Sequence, residues 1–349
     1  MGAASAWPAA LASPAEIARL LAPAKGARAI VLAVSGGPDS MAMLRLAAQW
    51  RAGGGAPPLF AATVDHGLRR EARAEAESVA RWAAAQGLPH QILTWTGPKP
   101  KTRLQEKARD ARYALLEAHA GAIGADFLML GHHLDDQAET VLFRLLRGTG
   151  VDGLAGMEPL SPRGGLTLFR PLLLTPKTRL VALCKALKQP FIDDPSNDDP
   201  RFARTGLRKL APLLAEEGLD AAALARLAAR ALRARDAIAH FTRDMMSRLD
   251  TEKTPVGLRA SLAPLRDAPD EIALRVIGGL VANAAAPGQA VRLEGLERLC
   301  AGLLPALAGR HSFRATLAGV ELTLDAAARL TLAREKPRKR GAKIAPAAL

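Results

Sequence analysis

The stretch "AIVLAVSGGPDSMAMLRLAAQW", residues 29–50, constrains the fold of this 349-residue chain more than any other. Ile30 to Val34 are apolar without alternation and partly β-branched, as in a strand buried on both faces of a parallel sheet. From Ser40 onward Met41, Leu44 and Ala48 recur at helical spacing, with Met43 and Leu46 beside them. Between strand and helix stand Ser35, Gly36, Gly37, Pro38, Asp39 and Ser40. The glycines allow a sharp turn and a close approach to a ligand, and the helix start supplies amide groups that attract anions. Phosphate is the expected guest. Asp39 would repel bare phosphate, so a divalent cation, magnesium by preference, is expected between them. The chain has no Gly-Lys dipeptide, which excludes the lysine-bearing phosphate loop. Taken alone, the stretch equally suits an ordinary turn capped by Asp39 and Ser40.

Strand and helix patterns alternate over the first 175 residues. A strand ends near Val64 in "LFAATVDHGLR", a helix covers Glu75–Gln86, and "HQILTW" (90–95) is a second extended run. The helix carrying "QEKARDARYALLEAH" leads to the strand in "DFLMLGHH" (126–133), and "LTLFRPLL" (166–173) is the last. This order predicts an α/β domain with a doubly wound parallel sheet, whose ligand lies beyond the carboxyl ends of the strands. The polar clusters "SGGPDS", "DHGLR" and "GHHLDDQAET" all fall at that end, which points to a nucleotide site. After Thr175 and Pro176, a cap and first-turn pair, come the polar segment "FIDDPSNDDPRFARTGLRKL" and an almost wholly helical reading from Leu210 to Leu304, with turns at "EEGLD", "KTPVG" and "AAAPGQ". "SFRATLAGVELTL" and "RLTLARE" then alternate as a small antiparallel pair. The expected divisions are a variable segment 1–25, a nucleotide-binding domain 26–210, a helical domain with a terminal β-hairpin 211–333, and a basic tail 334–349.

A net charge of +14, from 48 basic and 34 acidic residues, points to a polyanionic partner, nucleic acid before membrane. Aromatics are only 4% of the chain, so a surface built of base-stacking platforms is not expected. Cys184 and Cys300 stand far apart and form no C-x-x-C pair, which argues against disulfides, structural zinc or a cluster. With no apolar run of membrane-spanning length and no basic leader, the cytoplasm is the expected location.

"GHHLDDQAET" is the richest cluster. A helix starting near Leu134 sets Asp135 and Glu139 at i and i+4, and Asp136 and Glu139 at i and i+3, so either pair shares a face. Capping needs fewer acids; an acidic pocket for a cationic substrate or for magnesium fits better. Asp65 and His66 stand at a strand end. Arg109 and Arg112 share a helix face and can reach phosphates, although solvated helix charges are the commoner explanation. Arg201, Arg204 and Arg208 recur at helical spacing, and a guanidinium fork suits phosphate. Arg226, Arg230 and Arg233 form a second stripe, read either as a solvated face or as RNA backbone contacts.

Together these residues resemble a known family. "SGGPDS" is similar to the pyrophosphate loop of the PP-loop ATPases, which adenylate a substrate. "VDHGLR", "QEKARDARY", "GHHLDDQAETVLFRLLRGTGVDGLAGM", "RPLL" and "DDPSN", in this order, resemble the bacterial tRNA(Ile)-lysidine synthetases. The resemblance is dense over about residues 29–210 and weaker beyond. It implies an adenine nucleotide α-hydrolase-like fold and a carbon–nitrogen ligase that joins free L-lysine to C2 of the wobble cytidine of CAU-anticodon tRNA(Ile), using ATP and Mg2+. By the same resemblance Ser35 to Ser40 bind the triphosphate with Asp39 on magnesium, and Asp65 and His66 border the adenosine. His133, Asp136 and Glu139 hold the lysine, Arg201 and Arg204 cover the phosphates, and the helical and hairpin segments after 210 recognise tRNA. Thr205 departs from the family's usual Asn. The further C-terminal domain of longer members is not expected, and a homodimer is compatible. Two rivals are a PP-loop tRNA sulfur-transfer enzyme, which would need cysteines placed for that chemistry, and a non-catalytic tRNA-binding protein.

Overall fold

The computed structural model describes residues 13–100, 102–193, 203–255 and 257–335. The chain divides into two compact units, Met1–Leu232 and Arg233–Leu349.

In the first unit, β1 (Ile30–Ala33), β2 (Leu59–Asp65), β3 (His90–Thr94), β4 (Phe127–Leu130), β5 (Leu160–Arg163) and β6 (Leu166–Phe169) form one sheet in the order β3-β2-β1-β4-β6-β5. Every pairing is parallel except β5 with β6. The helices are α1 (Pro14–Leu21), α2 (Pro38–Ala52), α3 (Ala72–Ala85), α4 (Leu104–Ala122), α5 (Leu134–Leu145), α6 (Val151–Leu154), α7 (Lys177–Ala186), α8 (Ala203–Glu216) and α9 (Ala221–Ser247), the last running past the division.

β1 is central and buried throughout, as its unbroken apolar run requires. Successive side chains of a strand point to opposite faces. Ile30 and Leu32 therefore enter one cluster with Met41, Leu44 and Leu180, while Val31 and Ala33 enter another with Tyr113 and Leu116 of α4. α2 is buried over most of its surface, more than its spacing of apolar residues predicts, because α1 and α7 pack on it. From β1 the chain winds outward through β2 and β3, then returns to place β4 on the other side of β1. That reversal makes the carboxyl ends of β1 and β4 the switch point, where such sheets open a crevice. "SGGPDS" follows β1 and "GHHLDD" follows β4.

The second unit holds β7 (Thr251–Thr254), β8 (Gly257–Ser261), β9 (Phe313–Leu317), β10 (Val320–Leu324) and β11 (Arg329–Arg334), an antiparallel sheet ordered β7-β8-β11-β10-β9. Its apolar face, including Val320, Leu322, Leu330 and Leu332, packs with α10 (Asp270–Ala284) and α11 (Leu293–Ala308). The terminal hairpin expected from sequence is thus part of a larger sheet. β7 and β8 fall in the stretch read as helical, around the "KTPVG" turn. "TEKT" is exposed and carries no apolar alternation. β8 is held by its ladder with β11, Leu258 opposite Leu332, a partner far along the chain.

Candidate active site

The loop after β1 is built around one hydroxyl. Gly37 caps α2 in an extended conformation, Pro38 occupies the first turn, and Asp39 and Ser40 follow. Ser40 Oγ accepts from Ser35 N–H at 3.1 Å and Gly36 N–H at 3.2 Å, and donates to the Gly37 carbonyl at 3.0 Å. Two loop amides expected to face an anion are therefore occupied internally; those of Asp39 and Ser40, in the first turn, have no acceptor within the helix. Gly36 has φ +93°, and a Cβ there would stand 2.5 Å from Ile192 Cδ1. Ile192 N–H also donates to the Gly36 carbonyl at 2.9 Å. The segment leading to "DDPSN" thus begins on the loop, while residues 194–200 lie outside the described residues.

The end of β4 reaches the same point. A Cβ on Gly131 would stand 3.2 Å from the Cα and N of Ser40, so any larger residue here would press on the start of α2. Two residues later His133 caps α5, its N–H donating to Asp136 Oδ2 at 3.1 Å. The buried ring lies among three carboxylates: Nε2 is 3.4 Å from Asp39 Oδ2 and 3.5 Å from Asp136 Oδ2, and Nδ1 is 3.4 Å from Asp135 Oδ2. Burial opposes charge on His133, but hydrogen bonds to Asp135 and Asp39 and the negative charges around it prevail, raising its pKa to about 10. Nδ1 also stands 3.4 Å from the Asp136 amide. A protonated ring cannot accept that bond, so the contact with Asp135 takes precedence.

The three aspartates differ. The bond to His133 leads in drawing Asp135 down to about 2 against burial, and its Oδ2 also accepts from Lys177 N–H at 2.9 Å. Asp135 thereby pins α7 to α5. Burial pushes the Asp136 carboxyl above its ordinary range, with Glu139 and Asp39 acting the same way against His133. Asp39 Oδ1 is buried with no hydrogen-bond partner among the described residues. A lone carboxylate oxygen beside a phosphate-type loop suits a hard cation that takes one or two protein carboxylates plus phosphate oxygens. Among the described residues no group of three or more His, Cys, Asp and Glu is set to hold a metal by itself.

At the end of β2, Asp65 is buried and its Oδ1 accepts from Gly67 N–H at 2.9 Å. His66 meets Trp95 edge-on at 6.0 Å. Burial, then the charges of Arg112 and Lys99, hold its imidazole below the ordinary range against Asp65, so it is neutral at pH 7. Arg112, weighed from sequence as a solvated charge, is only partly exposed, and burial lowers its hold on its proton. No carboxylate of the described residues forms an ion pair with it. Its neighbour Arg109 instead lies over the Tyr113 ring at 5.2 Å. A partly buried arginine without a salt bridge is a signal that one-dimensional spacing does not carry.

Arg201 lies outside the described residues; Arg204 falls near the start of α8, and its side chain is likewise not described. Arg226, Arg230 and Arg233 are exposed along α9 at helical spacing. Cys184 and Cys300 are both buried and free, in different units, and burial pushes each thiol up to about 11.

A family model for a PP-loop domain matches residues 10–214. The chain is 50% identical over 320 residues to the tRNA(Ile)-lysidine synthase of Methylobacterium nodulans, covering 89% of this chain and 92% of the relative. It is 44% identical over 336 residues to the tRNA(Ile)-lysidine synthase of Rhodopseudomonas palustris, covering 94% and 96%. Among solved structures, the U34-tRNA thiolase NcsA from Methanococcus maripaludis, with its 4Fe–4S cluster, shares the fold at a TM-score of 0.52 and 20% identity, over 63% of this chain and 79% of that one. A switch-point crevice joining "SGGPDS" to "GHHLDD", together with this identity over nearly the whole length, means that the chain belongs to the tRNA(Ile)-lysidine synthase family of PP-loop proteins.

Proposed function

We propose that this chain is an ATP-dependent ligase that joins lysine to C2 of the wobble cytidine in an isoleucine tRNA with a CAU anticodon. The C2 carbonyl oxygen attacks the α-phosphorus of ATP and pyrophosphate leaves. The lysine ε-amine then attacks C2, AMP departs with that oxygen, and the nitrogen gives up its proton. The observation that carries this reading is the single imidazolium joining the two halves of the crevice, with Asp39 at 3.4 Å and Asp136 at 3.5 Å.

Each half has a separate task. The first-turn amides of α2 and the loop 35–40 receive the triphosphate. Asp39 Oδ1, with no other partner among the described residues, would hold magnesium, which offsets phosphate charge when bound. Asp136 and Glu139 receive the lysine ammonium, and the raised affinity of Asp136 for a proton suits it to accept one from the attacking amine. His133, as a cation, serves lysine by holding Asp136 in place. Asp65 and His66 border the adenosine, with Arg112 as a nearby cation; Arg201 and Arg204 complete the phosphate cover. The second unit and the α9 arginines hold the tRNA.

Sulfur transfer is the weaker reading, because two buried thiols held near 11 make poor nucleophiles. Incubating the protein with ATP, magnesium, labelled lysine and either tRNA tests the assignment. Label should enter the CAU isoleucine tRNA and almost none the methionine tRNA. Entry into both, or into neither, would overturn it.

A further inference from the structure

The α9 helix carries an exposed aromatic ring that the fold does not use. Phe241 is 59% exposed, although the same stretch of α9 packs on the second unit's core through Ile238, Met245 and Met246. At 100° per residue Phe241 lies at the edge of that packed side, three residues from Ile238 and four from Met245, and two i, i+4 steps connect it to Arg233, which shares its face with His240. Ala237 lies between them and leaves the face low. Arg233 and His240 are exposed, and Arg233 forms no ion pair with a carboxylate of the described residues. Asp244, the acid next along this face, is paired with Arg248 at 2.7 Å. His240 meets Phe241 edge-on, 5.5 Å between centroids at 74°, so the ring is not closed off by a stacked neighbour.

We propose that Phe241 stacks against an unpaired base of the RNA substrate while Arg233 contacts a phosphate of the same strand. This rests on the tRNA reading above and adds a contact to it. An exposed arginine without a carboxylate partner, two helical turns (about 12 Å) along the same helix from an exposed ring, complements a nucleic acid, which offers charge and a π-face along one strand. A protein partner or a second copy would need only the ring. In a chain so poor in aromatics this is one stacking position and not a platform of several.

Binding of the full-length protein to tRNA transcript tests this with Phe241→Trp, Phe241→Leu and Phe241→Ala. The tryptophan variant should bind within about twofold of wild type, while leucine and alanine should each weaken binding by roughly tenfold. KM for tRNA should rise accordingly, with KM for ATP and lysine unchanged. The ring is exposed, so thermal unfolding should not move and loss of fold would not explain the result. Wild-type binding by the leucine or alanine variant would overturn the proposal. So would a change in the sedimentation of free protein on Phe241→Ala, which would mean that the ring meets a second copy. If wild type incorporates lysine while these variants match it, this contact alone fails. If wild type incorporates none but its tRNA binding depends on Phe241, the ligase reading fails and the contact stands.

Discussion

Asp39 divides its work between two oxygens. Oδ2 faces the His133 imidazolium, and Oδ1 is buried without a partner among the described residues. Asp39→Asn keeps the shape and removes the charge. Pyrophosphate release should fall by about 100-fold or more, with only a modest drop in unfolding temperature because Asp135 and Asp136 still face His133; full activity would remove Asp39 from the mechanism. His133 makes a prediction about pH. Its folded pKa is raised from 6.5 to about 10, so its contribution to stability is full below 6.5 and fades as pH rises through about 10. Asp135 is lowered from 3.8 to about 2, so its share is present above 3.8 and fades as pH falls through about 2. His133→Asn keeps a capping side chain but not the charge. The stability advantage of wild type over this variant should therefore shrink between pH 6.5 and 10, as followed by thermal unfolding; a constant gap would contradict a protonated His133. The motif pointed to Asp39, His133 and Asp136 because their types and their places at strand ends are local facts. That Asp135 pins Lys177, 42 residues away, is a tertiary fact with no local mark.

At the scale of elements, the β1–loop–α2 unit depends on a backbone that only glycine tolerates. Gly36→Ala meets a positive φ and a 2.5 Å approach to Ile192, which should cost about 1–3 kcal/mol and disturb the segment above the loop. Gly37 is the control. Its φ is −68°, and a Cβ there would meet nothing closer than Ser35 Oγ at 3.8 Å. Gly36→Ala should unfold several degrees lower and lose ATP turnover, while Gly37→Ala should unfold near the wild-type temperature; equal unfolding temperatures would contradict this account of the loop. The β1–α2 pattern was readable because both halves are buried and their apolar runs follow strand and helix periods. β5 ("LSPR") and β7 ("TEKT") were not readable. Both are short edge strands with exposed residues, made strands by the neighbours they pair with.

For the whole molecule, charge and division of labour go together. The chain carries a net +14, and its crevice concentrates three aspartates around one histidine. In the proposed reading, excess positive charge would draw in the polyanion, and the local acids would select a cationic amino acid. Among the described residues no helix is long and apolar enough to cross a membrane. The most direct test is a crystal structure of this chain with a non-hydrolysable ATP analogue, magnesium and lysine. The triphosphate should lie on residues 35–40, with the ε-amine at Asp136 and Glu139 and within a few ångströms of the α-phosphate side of the nucleotide. Lysine bound away from that crevice, or a nucleotide that leaves the Asp39 loop empty, would contradict the shared site on which the mechanism depends.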